Sequence, residues 1–229
     1  MSTWLLPLAL CSMALACGPL LDRCARLSLG ISQADWRPRG LALGCIAAGG
    51  CLVAWVATYR TGGAWSPWLA AFVFLALVGS CISRADVIAH RIPDALTAAA
   101  FLGGAVLIVA GAVLAADLSV LVRVVLCALA SFGVFFAIAL VAPSAMGMGD
   151  VKLAPTIGMY LGVLGWTDLV SGLFAAFFLA GLAAAGLLIA RSVHAVGSSR
   201  ASATRAALKT ALPFGPFLLA GVGSALLLA

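Results

Sequence analysis

Two short stretches carry the residues best suited to chemistry: Asp86-Val-Ile-Ala-His-Arg-Ile-Pro-Asp94 and Gly147-Met-Gly-Asp150-Val-Lys-Leu153. Each sets a carboxylate where a long apolar run ends. Two carboxyl groups sharing one proton can hydrolyse a peptide bond without a metal or a nucleophilic side chain. The ionised group takes a proton from water as the water attacks the carbonyl, and the neutral group donates to the developing oxyanion. Like charges a few ångströms apart do not both ionise cheaply, so one pKa rises and the pair titrates as a unit. Asp86 and Asp150 are the candidate catalytic residues. Each stands out in a chain whose acidic residues are seven Asp (22, 35, 86, 94, 117, 150 and 168) and no Glu.

The flanking residues have candidate supporting roles. Gly147 and Gly149 remove side chains around Asp150, letting a substrate backbone approach and permitting φ > 0. Pro93 stiffens the start of the following helix, and Asp94 is expected to cap that helix through its free N–H groups. Lys152 either steadies a carboxylate or simply follows a basic loop bias. His90 falls in the turn beside Asp86; with no third ligand near it, no metal is expected. Taken singly, Asp86 and Asp150 read better as cap or interface residues paired with Arg84, Arg91 or Lys152; their pairing one hairpin apart weakens that reading, and periodicity and spacing alone leave both open.

The elements that must position these groups are membrane helices. The chain is 65% hydrophobic and 9% charged, with a mean hydropathy of +1.21; a soluble domain carries roughly a quarter charged residues. Only helices and closed barrels satisfy the backbone in hydrocarbon, and a barrel needs short alternating segments. Here the apolar runs are continuous. The expectation is all-α: a polytopic transmembrane bundle of about eight helices in one domain over residues 1–229.

Eight apolar segments can be marked at about 4–21, 41–59, 67–83, 95–116, 119–142, 152–166, 169–190 and 211–228, against the roughly 20 residues a spanning helix needs. The first lacks the charged lead of a secretory signal and is expected to be retained. The sixth is short. Its Pro155 and Gly158-x-x-x-Gly162 predict close packing inside the bundle. The run 95–116 makes about 33 Å of helix at 1.5 Å per residue, and 119–142 returns the same distance. Asp86 and Asp150 are therefore one transmembrane hairpin apart, which places them at one depth on one face.

Alternate loops hold Arg23, Arg26, Arg37, Arg39, Arg84, Arg91, Lys152, Arg191, Arg200, Arg205 and Lys209, eleven of the thirteen basic residues. The other face has Arg60, with Arg123 inside the fifth segment. That bias makes the basic face cytoplasmic, with both termini outside. It also accounts for the net charge of +6 without nucleic acid. The bilayer is the first expected partner, and the basic loops 22–39 and 191–210 either contact anionic headgroups or are ordinary connectors. Trp4, Trp36, Trp65, Trp68 and Trp166 read as an aromatic belt. The seven cysteines form no C-x-x-C pair, so neither disulfides nor metal are indicated.

With these residues in view, the sequence resembles the type IV prepilin peptidases, membrane aspartic proteases with a G-x-G-D motif. The resemblance rests on D-x-x-x-x-x-I-P-D at 86–94 and G-M-G-D-V-K-L at 147–153, in the family's order and separation. Pro213-Phe-Gly-Pro-Phe217 is similar to the family's last-helix motif, and Gly18-Pro-Leu-Leu-Asp22-Arg23 more weakly to its first-helix end. It implies an endopeptidase of the inner membrane that removes the short basic leader of prepilins or pseudopilins at the cytoplasmic face. By motif position Asp86 and Asp150 match its catalytic aspartates, and no cofactor is implied. Relatives that also N-methylate carry two C-x-x-C pairs in an extended first cytoplasmic loop. Here that loop has only Cys24, so the resemblance implies a peptidase-only form without a zinc-binding methyltransferase domain.

Three other readings compete. Presenilin-like proteases share G-x-G-D, but resemble neither Ala85-Asp86 at a helix edge nor the terminal Pro-Phe-Gly-Pro-Phe. A proton-coupled transporter would put carboxylates near mid-membrane and show internal repeats; neither is found. A catalytically inactive membrane assembly factor is the third.

Overall fold

The computed structural model describes residues 68–143, 146–194 and 213–228, together with Arg23. The first two apolar segments, 4–21 and 41–59, lie outside the described residues. Among the described residues the fold is entirely helical. The elements are α1 (Leu69–Ala89), α2 (Asp94–Leu114), α3 (Ser119–Val141), α4 (Met148–Leu164), α5 (Trp166–His194) and α6 (Gly215–Leu228). Helices α1, α2, α3 and α5 are each long and apolar enough to cross a membrane.

The helices outrun the apolar segments at the chemically interesting ends. The third segment is apolar only to residue 83, yet α1 continues to Ala89. The sixth begins its apolar run at 152, yet α4 starts at Met148. Hydropathy marks where side chains leave lipid, whereas the helix ends only where its backbone hydrogen bonds end. Asp86 therefore sits in the last turn of α1 and Asp150 in the first turn of α4, not in the joints beside them. The eighth segment is shortened instead. Pro213 and Phe214 precede the first turn of α6, where the Phe214 carbonyl accepts from Phe217 and Leu218 N–H.

The turn between α1 and α2 is tight. His90 ends α1 in the left-handed region (φ 49°, ψ 34°), its N–H donating to the Asp86 carbonyl at 2.9 Å. Pro93, at φ −64° and ψ 128°, takes the N-cap position of α2. Its carbonyl accepts from the N–H groups of Leu96 and Thr97 and from the Thr97 hydroxyl. Proline suits a helix start, where its missing N–H has no intrahelical partner to lose. This corrects the expected cap at Asp94: that residue is pushed one place into the helix and makes no side-chain cap.

Helix α4 is the axis of the described bundle. Every residue from Thr156 to Val163 is buried, and α4 contacts α2, α3, α5 and α6. Its ring contact with α1 is Phe72 edge-on to Tyr160, centroids 5.6 Å apart. Gly158 and Gly162 do what their spacing predicts. A Cβ at Gly158 would strike the Ser131 side chain and the Cys127 carbonyl, and one at Gly162 would stand 3.0 Å from Val124 Cα. The backbones of α3 and α4 thus meet directly. Gly172 and Gly221 do the same between α5 and α6.

Arg123 closes the far end. Its Nε donates to the Gly162 carbonyl at 2.7 Å and its Nη2 to the Val163 carbonyl at 3.0 Å. A cation at a helix C-terminus both satisfies orphan carbonyls and complements the macrodipole. The outlying basic residue of the fifth segment is thereby explained as a cap. Helices α3 and α5 turn large apolar side chains outward, among them Val122, Leu129, Phe174 and Phe178, as lipid-facing surfaces do.

Candidate active site

Four chain segments converge at the end of the bundle opposite Arg123: the last turn of α1, the first turn of α2, the first turn of α4 and the start of α6. Each follows from its sequence: a left-handed cap at His90, a proline at position 93, a glycine N-cap at Gly147 and a Pro-Phe-Gly-Pro start. A cavity of about 580 Å³ opens among the first three of these segments. Asp86 and Asp150 both line it, with His90, Arg91 and the turn Ile92–Ala95 on one wall and Gly147–Gly149 and Lys152 on the other.

Asp86 is buried at 6% exposure. Its Oδ2 accepts the backbone N–H of Gly215 at 2.8 Å, a contact between residues 129 positions apart. Asp150 is half-buried. Its Oδ1 is sealed from solvent and has no hydrogen-bond partner among the described residues. Burial pushes the Asp150 carboxyl up to about 7, helped by the negative charge of Asp86 and opposed by the Gly147 backbone N–H. Near neutral pH the site therefore holds one carboxyl group close to half-protonated beside a second one. This is the electronic state from which a carboxyl pair can deliver and accept a proton in one step.

The glycines create room, though not through unusual dihedrals. Gly147 is extended, at φ −73° and ψ 141°, and Gly149 is helical, so neither uses the φ > 0 freedom expected of it. A Cβ at Gly147 would lie 3.2 Å from Asp150 Oδ2, and one at Gly149 would lie 3.1 Å from Ile92 Cβ. Gly149 lets α4 press against the α1–α2 turn, which sets Asp150 against the segment that carries Asp86. Lys152 steadies a carboxylate, but a different one: its Nζ stands 2.7 Å from Asp94 Oδ1, with both side chains at least half exposed. Residues 94 and 152 thus tie the first turn of α2 to that of α4, outside the carboxyl pair.

Sequence reasoning singled out Asp86, Asp150, Gly147, Gly149, Pro93, Asp94 and Lys152, and all seven belong to this end of the bundle. It assigned no role to Gly215. The signal available was a glycine between Phe214 and Pro216 at a helix start; nothing in a linear reading says that its N–H points at a carboxylate 129 residues earlier. Ile92 was likewise hidden, since only packing reveals that it faces Gly149; Arg91, named from sequence as a pairing partner of the aspartates, lines the cavity. Among the described residues no group of three or more His, Cys, Asp or Glu converges as metal ligands would.

Residues 69–189, a little over half of the chain, match the type IV leader peptidase family. No curated protein and no solved structure shows a significant match. The matched span runs from the first residue of α1 nearly to the end of α5 and includes Asp86 and Asp150, which fits the helical membrane architecture and the broadly aspartic character of that group of proteases. On that match, the chain belongs to the type IV leader peptidase family.

Proposed function

We propose that the protein is an aspartic endopeptidase that removes the basic leader from type IV prepilins or pseudopilins at the cytoplasmic face of the inner membrane, with Asp86 and Asp150 as its catalytic pair. The observation that carries this reading is the shared cavity, lined by Asp86 and Asp150 from helices separated by one hairpin, where burial pushes the Asp150 carboxyl up to about 7. Water bound between them loses a proton to the ionised group while its oxygen bonds to the scissile carbonyl carbon. The neutral group protonates the carbonyl oxygen. Collapse of the resulting diol breaks the C–N bond, the amine nitrogen takes up a proton, and both carboxyl groups return to their starting state.

The remaining assignments belong to the same proposal. Gly147 and Gly149 keep side chains out of the substrate's path, Pro93 fixes the α1–α2 turn, and Lys152 with Asp94 holds two walls of the cavity in register. The segments 4–21 and 41–59 add two crossings to the six described helices, giving eight, in a single domain over 1–229 without a zinc-binding methyltransferase module. The basic loops face the cytoplasm. The substrate's apolar helix lies alongside the bundle in the bilayer, and cavity carboxylates meet the leader's basic residues. Charge reversal in the leader is expected to slow cleavage; unchanged cleavage would remove the electrostatic part of this account.

The direct test is processing of a co-expressed prepilin by the wild-type chain, Asp86→Asn and Asp150→Asn. Asn keeps the size of Asp but cannot share the proton, so each variant should accumulate in the membrane and leave the leader attached. Processing by either variant at the wild-type level would refute the assignment.

A further inference from the structure

The two carboxyl groups are not equivalent, and the difference originates outside the segments that carry them. Asp86 Oδ2 receives the Gly215 N–H at 2.8 Å. Gly215 is the first residue of α6, so this N–H is one of the helix's orphan donors and lies at the positive end of its dipole. Both features favour a carboxylate over a carboxylic acid. Asp150 also lies at a helix N-terminus, in the first turn of α4 with the Gly147 backbone N–H beside it, but its Oδ1 is buried without a partner among the described residues, and an unpaired buried oxygen is better tolerated on a neutral group than on an anion.

The donor is held rigidly. Phe214, the residue before it, packs its ring against Phe135 of α3 and Phe177 of α5, with centroids 6.1 and 5.2 Å away. These two rings are in turn 5.4 Å apart. Three aromatic side chains from different parts of the chain thus lock the start of α6. The fit at Gly215 is close as well: a Cβ there would stand 3.0 Å from Asp86 Oδ2. The other charged or titratable groups around the pair are His90, Arg91, Asp94 and Lys152 on the cavity wall. Arg84 is buried on the same helix. Asp94 and Lys152 satisfy each other.

Resting on the peptidase reading above, we infer that Gly215 is a positioning residue that divides the labour of the pair: its N–H holds Asp86 as the ionised group that accepts the proton of the attacking water, and the shared proton resides on Asp150, which donates it to the carbonyl oxygen. The electron balance is that of the proposed hydrolysis. The water O–H bond breaks toward Asp86, the new C–O bond forms, and the Asp150 proton passes to the former carbonyl oxygen. On collapse the amine nitrogen takes the proton from Asp86 as the C–N bond breaks, and the diol returns a proton to Asp150.

Two substitutions probe the N–H. Gly215→Ala adds a Cβ and keeps the donor. Gly215→Pro adds the same Cβ, removes the donor and sets its ring Cδ where the N–H met Asp86 Oδ2, at a first helical position that tolerates proline. Prepilin cleavage is measured against pH for both. The acid limb reports the ionisation of Asp86, and should lie about one pH unit higher in the Pro variant than in the Ala variant. The limb near 7 reports Asp150 and should coincide in the two. Coinciding acid limbs, or a difference confined to the limb near 7, would overturn the inference.

A second measurement requires neither cleavage nor a tolerated proline. Infrared difference spectra of the full chain in lipid should show a carboxylic C=O band titrating near pH 7. It should vanish in Asp150→Asn and persist, titrating lower, in Asp86→Asn. A band that is missing in the wild type, that survives in Asp150→Asn, or that disappears in both variants contradicts the inference. If the wild-type chain cleaves no prepilin, the peptidase reading fails, while the infrared assignment still reports which residue holds the proton.

Discussion

At the scale of single residues, the site is governed by how burial divides protons between two carboxyl groups. Asp150 titrates near 7 rather than in the usual carboxylate range, chiefly because it is desolvated. In the proposed mechanism its proton is the one donated, so cleavage should fall as pH rises through about 7, by roughly tenfold per unit well beyond it; an initial-rate profile checks this. The same shift makes a stability statement. The folded state holds this proton more tightly than the unfolded chain does, so the associated stabilisation is complete below about 4 and is lost as pH rises toward 7. Asp150→Asn removes the penalty. Its thermal midpoint should exceed that of the wild type at pH 8, and the gap should narrow by pH 5. A midpoint difference independent of pH would mean that Asp150 is not buried as described. Gly149→Val forces the Ile92 contact apart and displaces the first turn of α4 from the α1–α2 turn. Displacements of this kind cost on the order of tenfold or more in rate, expected in kcat for prepilin cleavage with little loss of folded protein. The exposed Lys152–Asp94 pair should contribute no more than about 1 kcal/mol to stability in a double-mutant cycle.

At the scale of elements, each end of the central helix has its own device. Arg123 caps the C-terminus of α4, and Arg123→Ala should cost about 1–3 kcal/mol of unfolding free energy. Cleavage by the protein that remains folded should be unchanged, because the cap lies at the opposite end from the cavity. Gly162→Val drives a side chain into the α3 backbone and should destabilise by about 1–3 kcal/mol or more; a thermal melt in detergent measures both. The third to eighth apolar segments were each legible as helices, and the small-residue seam of α4 was legible because glycine spacing directly encodes close approach. The helix ends were not. Hydropathy stops at residue 83 and resumes at 152, so Asp86 and Asp150 read as lying just beyond the apolar runs at helix edges, whereas backbone hydrogen bonding carries both into the terminal turns. The cap at Pro93 displaced the expected one at Asp94 because a proline with extended ψ already occupies that position.

At the scale of the whole molecule, a hairpin of two membrane helices returns the chain to the end it left, and this alone brings residues 64 positions apart onto one cavity. That convergence could be anticipated from segment lengths and the 1.5 Å rise of a helix. The contribution of α6 could not. A backbone N–H has no sequence signature, and the Phe135, Phe177 and Phe214 cluster that fixes it draws one ring from each of three segments. The central claim is that Asp86 and Asp150 operate as one unit on one water molecule. Groups that act as a unit are non-additive under mutation. Single-turnover cleavage of a prepilin by Asp86→Asn, Asp150→Asn and the double variant tests this most directly. The account predicts that each single variant falls to the same residual rate and that the double variant is no slower. Two partial losses whose logarithms add in the double variant would show that the carboxyl groups work independently, and would contradict it.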